Sequence, residues 1–126
     1  NMLGLDFIVC GYEYDVWQNA IAGLENEAEG GRRCTECFRI RLAKTAQFAK
    51  KKNFNAFTTT LTISPHKNSK IINAIGNEIA LKDGITFLEK DLKKEGGFRK
   101  SLEYSKKYGL YRQNYCGCEF SVKKTF

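Results

Sequence analysis

Cysteines restrict this chain more than any other residues. Cys34-Thr35-Glu36-Cys37 puts two thiols three residues apart, and Cys116-Gly117-Cys118 puts two more on either side of a glycine, about 80 residues further on. Four of the five cysteines sit in these pairs, so a fold that gives them a common purpose must fold the chain's end back onto its first third. An odd cysteine count, with no basic-then-apolar leader pattern, argues against a disulfide framework. Paired cysteines in a reducing compartment bind metal or carry out redox chemistry.

The first pair opens an amphipathic, basic segment. Cys34 and Cys37 stand at i and i+3, so both leave one face of a helix's first turn. A thiolate there gains from the positive end of the helix dipole and from Arg32 and Arg33. Gly117 lets the backbone bend so that Cys116 and Cys118 can face one centre. Either pair alone fits a redox couple, half a zinc site or half an iron–sulfur site. Together they supply four thiolates, enough for a Cys₄ zinc or one cubane cluster.

The segments between the pairs read as α/β. Leu5 to Cys10 is a short apolar run closed by Gly11 and is expected to be a buried strand, with Cys10 a small core residue. Asp15 is positioned to cap a helix that presents Val16, Trp17, Ala20, Ile21 and Leu24. An acidic, glycine-closed loop follows from Glu25 to Gly31. The next helix is expected from Arg33 to Lys51, with Phe38, Leu42, Thr45/Ala46 and Ala49 inward. Ala56 to Ile63 carries the β-branched and aromatic residues of a strand. Ser64-Pro65 then reads as the start of a helix carrying Ile71/Ile72, Ile75 and Ile79 and stopped by Asp83-Gly84. Ile85 to Leu88 is a third strand leading to Asp91. Gly96-Gly97 opens a last helix with Phe98, Leu102, Ser105 and Tyr108 on one face. This alternation implies a parallel sheet with right-handed crossovers, with the binding site beyond the strands' carboxyl ends. His66, the only histidine, and Asp91 fall on that edge.

Charge is unevenly distributed. Residues 1–31 contain six acidic and no basic residues, so all 21 Lys and Arg fall in residues 32–126, against eight acidic ones, a local balance of +13. A bias of this size suits a polyanion such as nucleic acid, and it also suits a solvated lysine-rich face. Tyr111 and Tyr115 flank Arg112 as stacking surfaces for unpaired bases or as packing for the tail. No apolar run approaches the roughly 20 residues of a membrane span.

Three blocks carry a family resemblance: Glu29 to Leu42, Phe57 to Lys67 and Leu110 to Ser121. In order and spacing they resemble the epoxyqueuosine reductases of the non-cobalamin, iron–sulfur type, the QueH family. The resemblance implies a nucleotide-hydrolase-like (HUP-like) three-layer α/β fold, with residues 1–126 forming one domain, the C-terminal part of such an enzyme. It implies two-electron reduction of epoxyqueuosine to queuosine in tRNA, in the cytoplasm. It also implies a [4Fe–4S] cluster on Cys34, Cys37, Cys116 and Cys118. Asp91 is the candidate acidic ligand of an adjacent iron and the catalytic carboxylate. Arg32, Arg33, His66, Lys67, Tyr111 and Arg112 are expected to face the anticodon stem-loop, and an unidentified donor supplies the electrons. A non-catalytic, zinc-stabilised RNA-binding module is the alternative. The family's opening Cys-Cys-x-x-Cys strand has no counterpart here, so an N-terminally truncated fold with exposed sheet edges, and hence a homodimer, is expected.

Overall fold

The computed structural model describes residues 3–113 and 115–122. Its centre is a pair of helices. One, α2, spans Arg32–Lys51, and buries Phe38, Leu42, Ala46 and Ala49, a stripe spaced by four, four and three residues. That spacing returns to one face of a 3.6-residue helix. The other, α3, spans Ser69–Asp83 and packs on α2 through Ile72, Ile75 and Ile79. Arg39 of α2 and Glu78 of α3 form an ion pair on the rim of this contact. Thr45, the alternative inward position on α2, is exposed.

Both helix ends of α3 have local causes. The Asn68 side chain accepts hydrogen bonds from the amides of Lys70 (2.9 Å) and Ile71 (3.3 Å), satisfying two of the free donors of the first turn. The start expected at Ser64-Pro65 is therefore corrected. The Ser64 hydroxyl instead accepts from the His66 amide in a short turn, and Asn68 offers the better cap. Gly84 ends α3 at φ 68°, in the left-handed region that glycine enters without steric cost.

The sheet is smaller than expected. Among the described residues it has two parallel strands, β1 at Ala56–Phe57 and β2 at Thr86–Phe87, with Phe57 opposite Phe87. Their rings meet at 5.1 Å under the helix pair. Gly76 of α3 lies against the Phe87 ring so closely that a Cβ there would come within 2.5 Å of it. The strand expected to run to Ile63 stops at Phe57, and Leu61–Ile63 is a 3₁₀ turn. Thr62 explains the turn: its buried hydroxyl accepts from the Leu92 amide at 3.1 Å, so it faces the next segment rather than continuing a ladder.

The remaining elements are peripheral. Helix α1, Tyr14–Ala20, has Glu13 rather than Asp15 at its cap position and buries none of its residues, although Ile21 just beyond it is 2% exposed. Helix α4, Gly97–Lys107, also buries none. The strand expected over Leu5 to Cys10 does not form, and Cys10 is exposed rather than core. Phe7, Ile8 and Val9 are 75%, 64% and 85% exposed. A strand is stable only within a ladder, and β1 and β2 pair with each other. The molecule is thus a mixed helical protein with a small parallel sheet and α/β character.

Candidate functional site

The two cysteine pairs line one cavity. Cys34 and Cys37 come from the first two turns of α2, and Cys116 and Cys118 from the returning tail. The space is about 20 Å³, room for one water-sized group. Several contacts draw the tail back. Phe120 stacks on Trp17 at 6.0 Å, and the Tyr14 hydroxyl donates to Glu119 at 2.7 Å. The Ser121 hydroxyl donates to the Cys118 carbonyl (2.6 Å) and accepts from the Cys116 amide (3.2 Å), which closes the loop between the two thiols. Gly117 turns that loop at φ 105°, as its position between two cysteines predicts.

Arg33 is not free to meet a nucleic acid. It is 2% exposed, and its guanidinium donates to the Glu25 carbonyl at 3.1 Å and to those of Leu24 and Glu27. It also lies 5.3 Å from the Phe120 ring centre. The expectation that it faces tRNA is corrected: it clamps the acidic loop ahead of α2 and supports the returning tail. Its charge is still delivered to the cavity wall.

Three of the four cavity sulfurs accept an N–H donor. The Gly30 amide donates to Cys34 at 3.2 Å and the Phe120 amide to Cys118 at 3.3 Å. The Lys67 ammonium donates to Cys116 at 3.4 Å. Trp17 lines the same cavity as Cys37. Burial pushes the Cys37 thiol above its ordinary pKa, and the nearby Cys116 and Cys34 push the same way. Arg41 and Trp17 oppose this without cancelling it. The expected lowering by the helix dipole and Arg32 and Arg33 is therefore outweighed at Cys37 by desolvation.

Asp91 stands apart from the cavity wall. Its carboxylate accepts from the Ser69 hydroxyl (3.0 Å) and the Lys93 amide (3.1 Å), and it lies 3.6 Å from the Lys93 ammonium. Burial raises its pKa, but these hydrogen bonds and the Lys93 charge together hold it below the usual carboxylate value. It still connects to the cavity, because Lys93 also donates to the carbonyls of Thr62 (2.7 Å) and Lys67 (3.0 Å). Arg32 and His66 are exposed, and His66 reaches the cavity edge. Tyr111 is 86% exposed. Arg112 donates to the Ser105 hydroxyl at 2.9 Å and lies 5.8 Å from the Phe98 ring centre. Asn114 of the third sequence block lies outside the described residues.

Spacing alone did not reveal Trp17, Arg41 or Ser121 as residues of the site. The available signals were weak: Trp17 is the only tryptophan, and Ser121 closes the block that begins with Leu110.

Four free thiols on one wall, with cationic side chains beside them, match in kind the donors that iron–sulfur clusters and zinc prefer. Among the described residues no three Cys, His, Asp or Glu side chains are drawn closely enough together to hold an ion. The thiols share a cavity but do not yet surround a common point. Fold and site thus define an α/β protein with a four-thiol cavity.

The sequence model of the QueH family, epoxyqueuosine reductase QueH, matches residues 1–124, and the chain belongs to that family. Three similar curated relatives carry the name epoxyqueuosine reductase QueH. That of Streptococcus pyogenes serotype M1 is 43% identical over 119 residues, 94% of this chain and 47% of the relative. That of Thermotoga maritima is 42% identical over 106 residues, 84% and 55% of the two chains. That of Histophilus somni is 38% identical over 123 residues, 97% and 51%. The chain spans about half the length of the curated relatives it matches. Among the described residues no helix is long and apolar enough to cross a membrane.

Proposed function

We propose that this chain carries the thiolate ligands of an epoxyqueuosine reductase, which converts epoxyqueuosine to queuosine in tRNA. One observation carries the reading: both cysteine pairs line a single cavity in a chain that the family matches over residues 1–124. The reaction breaks both carbon–oxygen bonds of an epoxide and forms a carbon–carbon double bond. Two electrons and two protons are consumed, and the oxygen leaves as water.

In this reading Cys34, Cys37, Cys116 and Cys118 hold a [4Fe–4S] cluster, which when bound supplies the electrons it receives from a separate donor. Asp91 is the candidate ligand for an adjacent iron and the catalytic carboxylate, joined to the cavity rim through Lys93. Lys67, Arg33 and Arg41 place positive charge on the cavity wall that carries the cysteines. Arg32 and Arg112 would neutralise phosphates of the anticodon stem-loop, with His66 at the cavity edge. Tyr111 would offer its exposed ring to an unpaired base. Lys67 lies at the join between the two surfaces, half-buried, with its ammonium on Cys116.

The same reading places the small sheet within a HUP-like three-layer fold, residues 1–126 within one domain, and the protein in the cytoplasm. It also has the exposed sheet edges pairing in a homodimer. The test is anaerobic reconstitution with iron and sulfide, followed by mass spectrometry of nucleosides from epoxyqueuosine-containing tRNA under a chemical reductant. Iron, sulfide, visible absorption and queuosine formation are expected, with all four lost in a Cys34→Ser/Cys116→Ser variant. Stoichiometric zinc with no visible absorption would sink the reading.

A further inference from the structure

We propose that Lys67 is a positioning residue that raises the reduction potential of the metal centre held by the four cysteines. The proposal rests on the functional reading above.

The three N–H donors differ in origin. Those to Cys34 and Cys118 are backbone amides of adjacent turns, Gly30 and Phe120, and come with the local fold. That to Cys116 is a side chain from a distant part of the chain: Lys67 reaches it across 49 residues of sequence.

An ammonium on a flexible four-carbon stem normally turns to water. Here it is turned inward, and the backbone beneath it is pinned. The Lys93 ammonium grips the carbonyls of Thr62 and Lys67, at 2.7 Å and 3.0 Å, and is itself held by Asp91. The chain thus uses one anchored cation to fix the base of a second, whose head meets a thiol. That head adds no packing to the hydrophobic core.

Its effect is electrostatic. An N–H donor or positive charge at a ligand sulfur stabilises the more negative state of the centre, which is the reduced one, so the potential rises. Lys67 brings both a donor and a full charge.

The experiment uses the full chain, reconstituted anaerobically with iron and sulfide, and measures the midpoint potential by spectroelectrochemical titration. Iron and sulfide content are matched between variants. Lys67→Met is expected to lower the reduced-to-oxidised ratio at fixed potential by about tenfold, roughly 59 mV for a one-electron couple. Lys67→Arg should stay near wild type because it keeps charge and N–H. If Lys67→Met does not take up the centre, Lys67→Gln removes the charge alone and should still lower the potential. Loaded variants that all keep the wild-type potential would overturn this inference and leave the functional reading standing. A wild-type chain that takes up no iron and sulfide would overturn both.

Discussion

The two faces of α2 have opposite fates. The inner face, Phe38, Leu42, Ala46 and Ala49, is sealed against α3 and the paired phenylalanines of β1 and β2. The outer face, with Ile40, Lys44 and Phe48, borders a wide groove of about 1380 Å³ whose other wall is the N-terminal segment from Asp6 to Trp17. Both walls of the groove carry apolar side chains, yet the groove stays open. Apolar pattern alone does not make core. On the inner face, α3 presents isoleucines at matching spacing, and the glycine at Gly76 lets α3 approach Phe87 closely. On the outer face the opposing segment forms no strand or helix over residues 6–10, so it offers α2 no rigid surface to pack on.

The largest expected effect tests this contrast directly. Leu42→Ala removes a side chain 1% exposed at the centre of the sealed face and should cost about 2–5 kcal/mol. Ile8→Ser alters a groove-lining residue 64% exposed and should stay within about 0.5 kcal/mol. Urea unfolding of both variants measures the difference. Comparable losses would show that the groove is closed in solution and that the two faces are not distinct.

A mid-sized effect separates packing from local chemistry within the sealed half. Asn68→Ala removes the acceptor for the Lys70 and Ile71 amides while leaving the apolar contacts of α3 in place. A loss of about 1 kcal/mol is expected, the usual contribution of a helix cap. Asn68→Asp should recover most of it. If the alanine variant unfolds at the wild-type urea concentration, α3 is held by its apolar face alone.

What was legible in the sequence follows the same contrast. Helix α2 and the close of α3 at Gly84 were readable because their determinants are local: a 3.6-residue stripe and a residue suited to φ 68°. The cysteine pairs were readable as candidate ligands because spacing and residue type carry that signal. Strand lengths were not, since Thr58 to Ile63 has strand composition but Thr62 is claimed by the Leu92 amide, 30 residues later. Leu5 to Cys10 failed for a related reason, because strand composition does not supply a ladder partner. Arg33 looked like a surface cation in a basic run and proved to be a buried clamp on carbonyls of the preceding loop. Its three carbonyl acceptors lie in a segment whose path the sequence did not reveal. Lys67 as a donor to sulfur was hidden for the same reason: it meets Cys116 only through tertiary structure.

The smallest effect concerns pH and tests whether the cavity's support is electrostatic. Asp91 holds Lys93, and Lys93 in turn holds the carbonyls of Thr62 and Lys67. Burial raises the carboxyl pKa, but the Ser69 and Lys93 hydrogen bonds and the Lys93 charge leave it below the ordinary value. A carboxylate depressed in the folded state binds its proton more weakly there than in the unfolded chain. Its stabilisation is therefore fully present above the unfolded pKa, about 4, and is lost as pH falls from there through the folded value. Wild type should thus exceed Asp91→Asn in stability at pH 6–7, and the gap should narrow below about pH 4. The side chain is 21% exposed, so solvent screening keeps the effect below those of Leu42 and Asn68. Thermal unfolding of both proteins from pH 7 to pH 3 gives the measurement. A gap that stays constant over the whole range would mean that Asp91 supports Lys93 through shape and neutral hydrogen bonding. In that case the path from Asp91 to the thiol cavity would not be carried by charge.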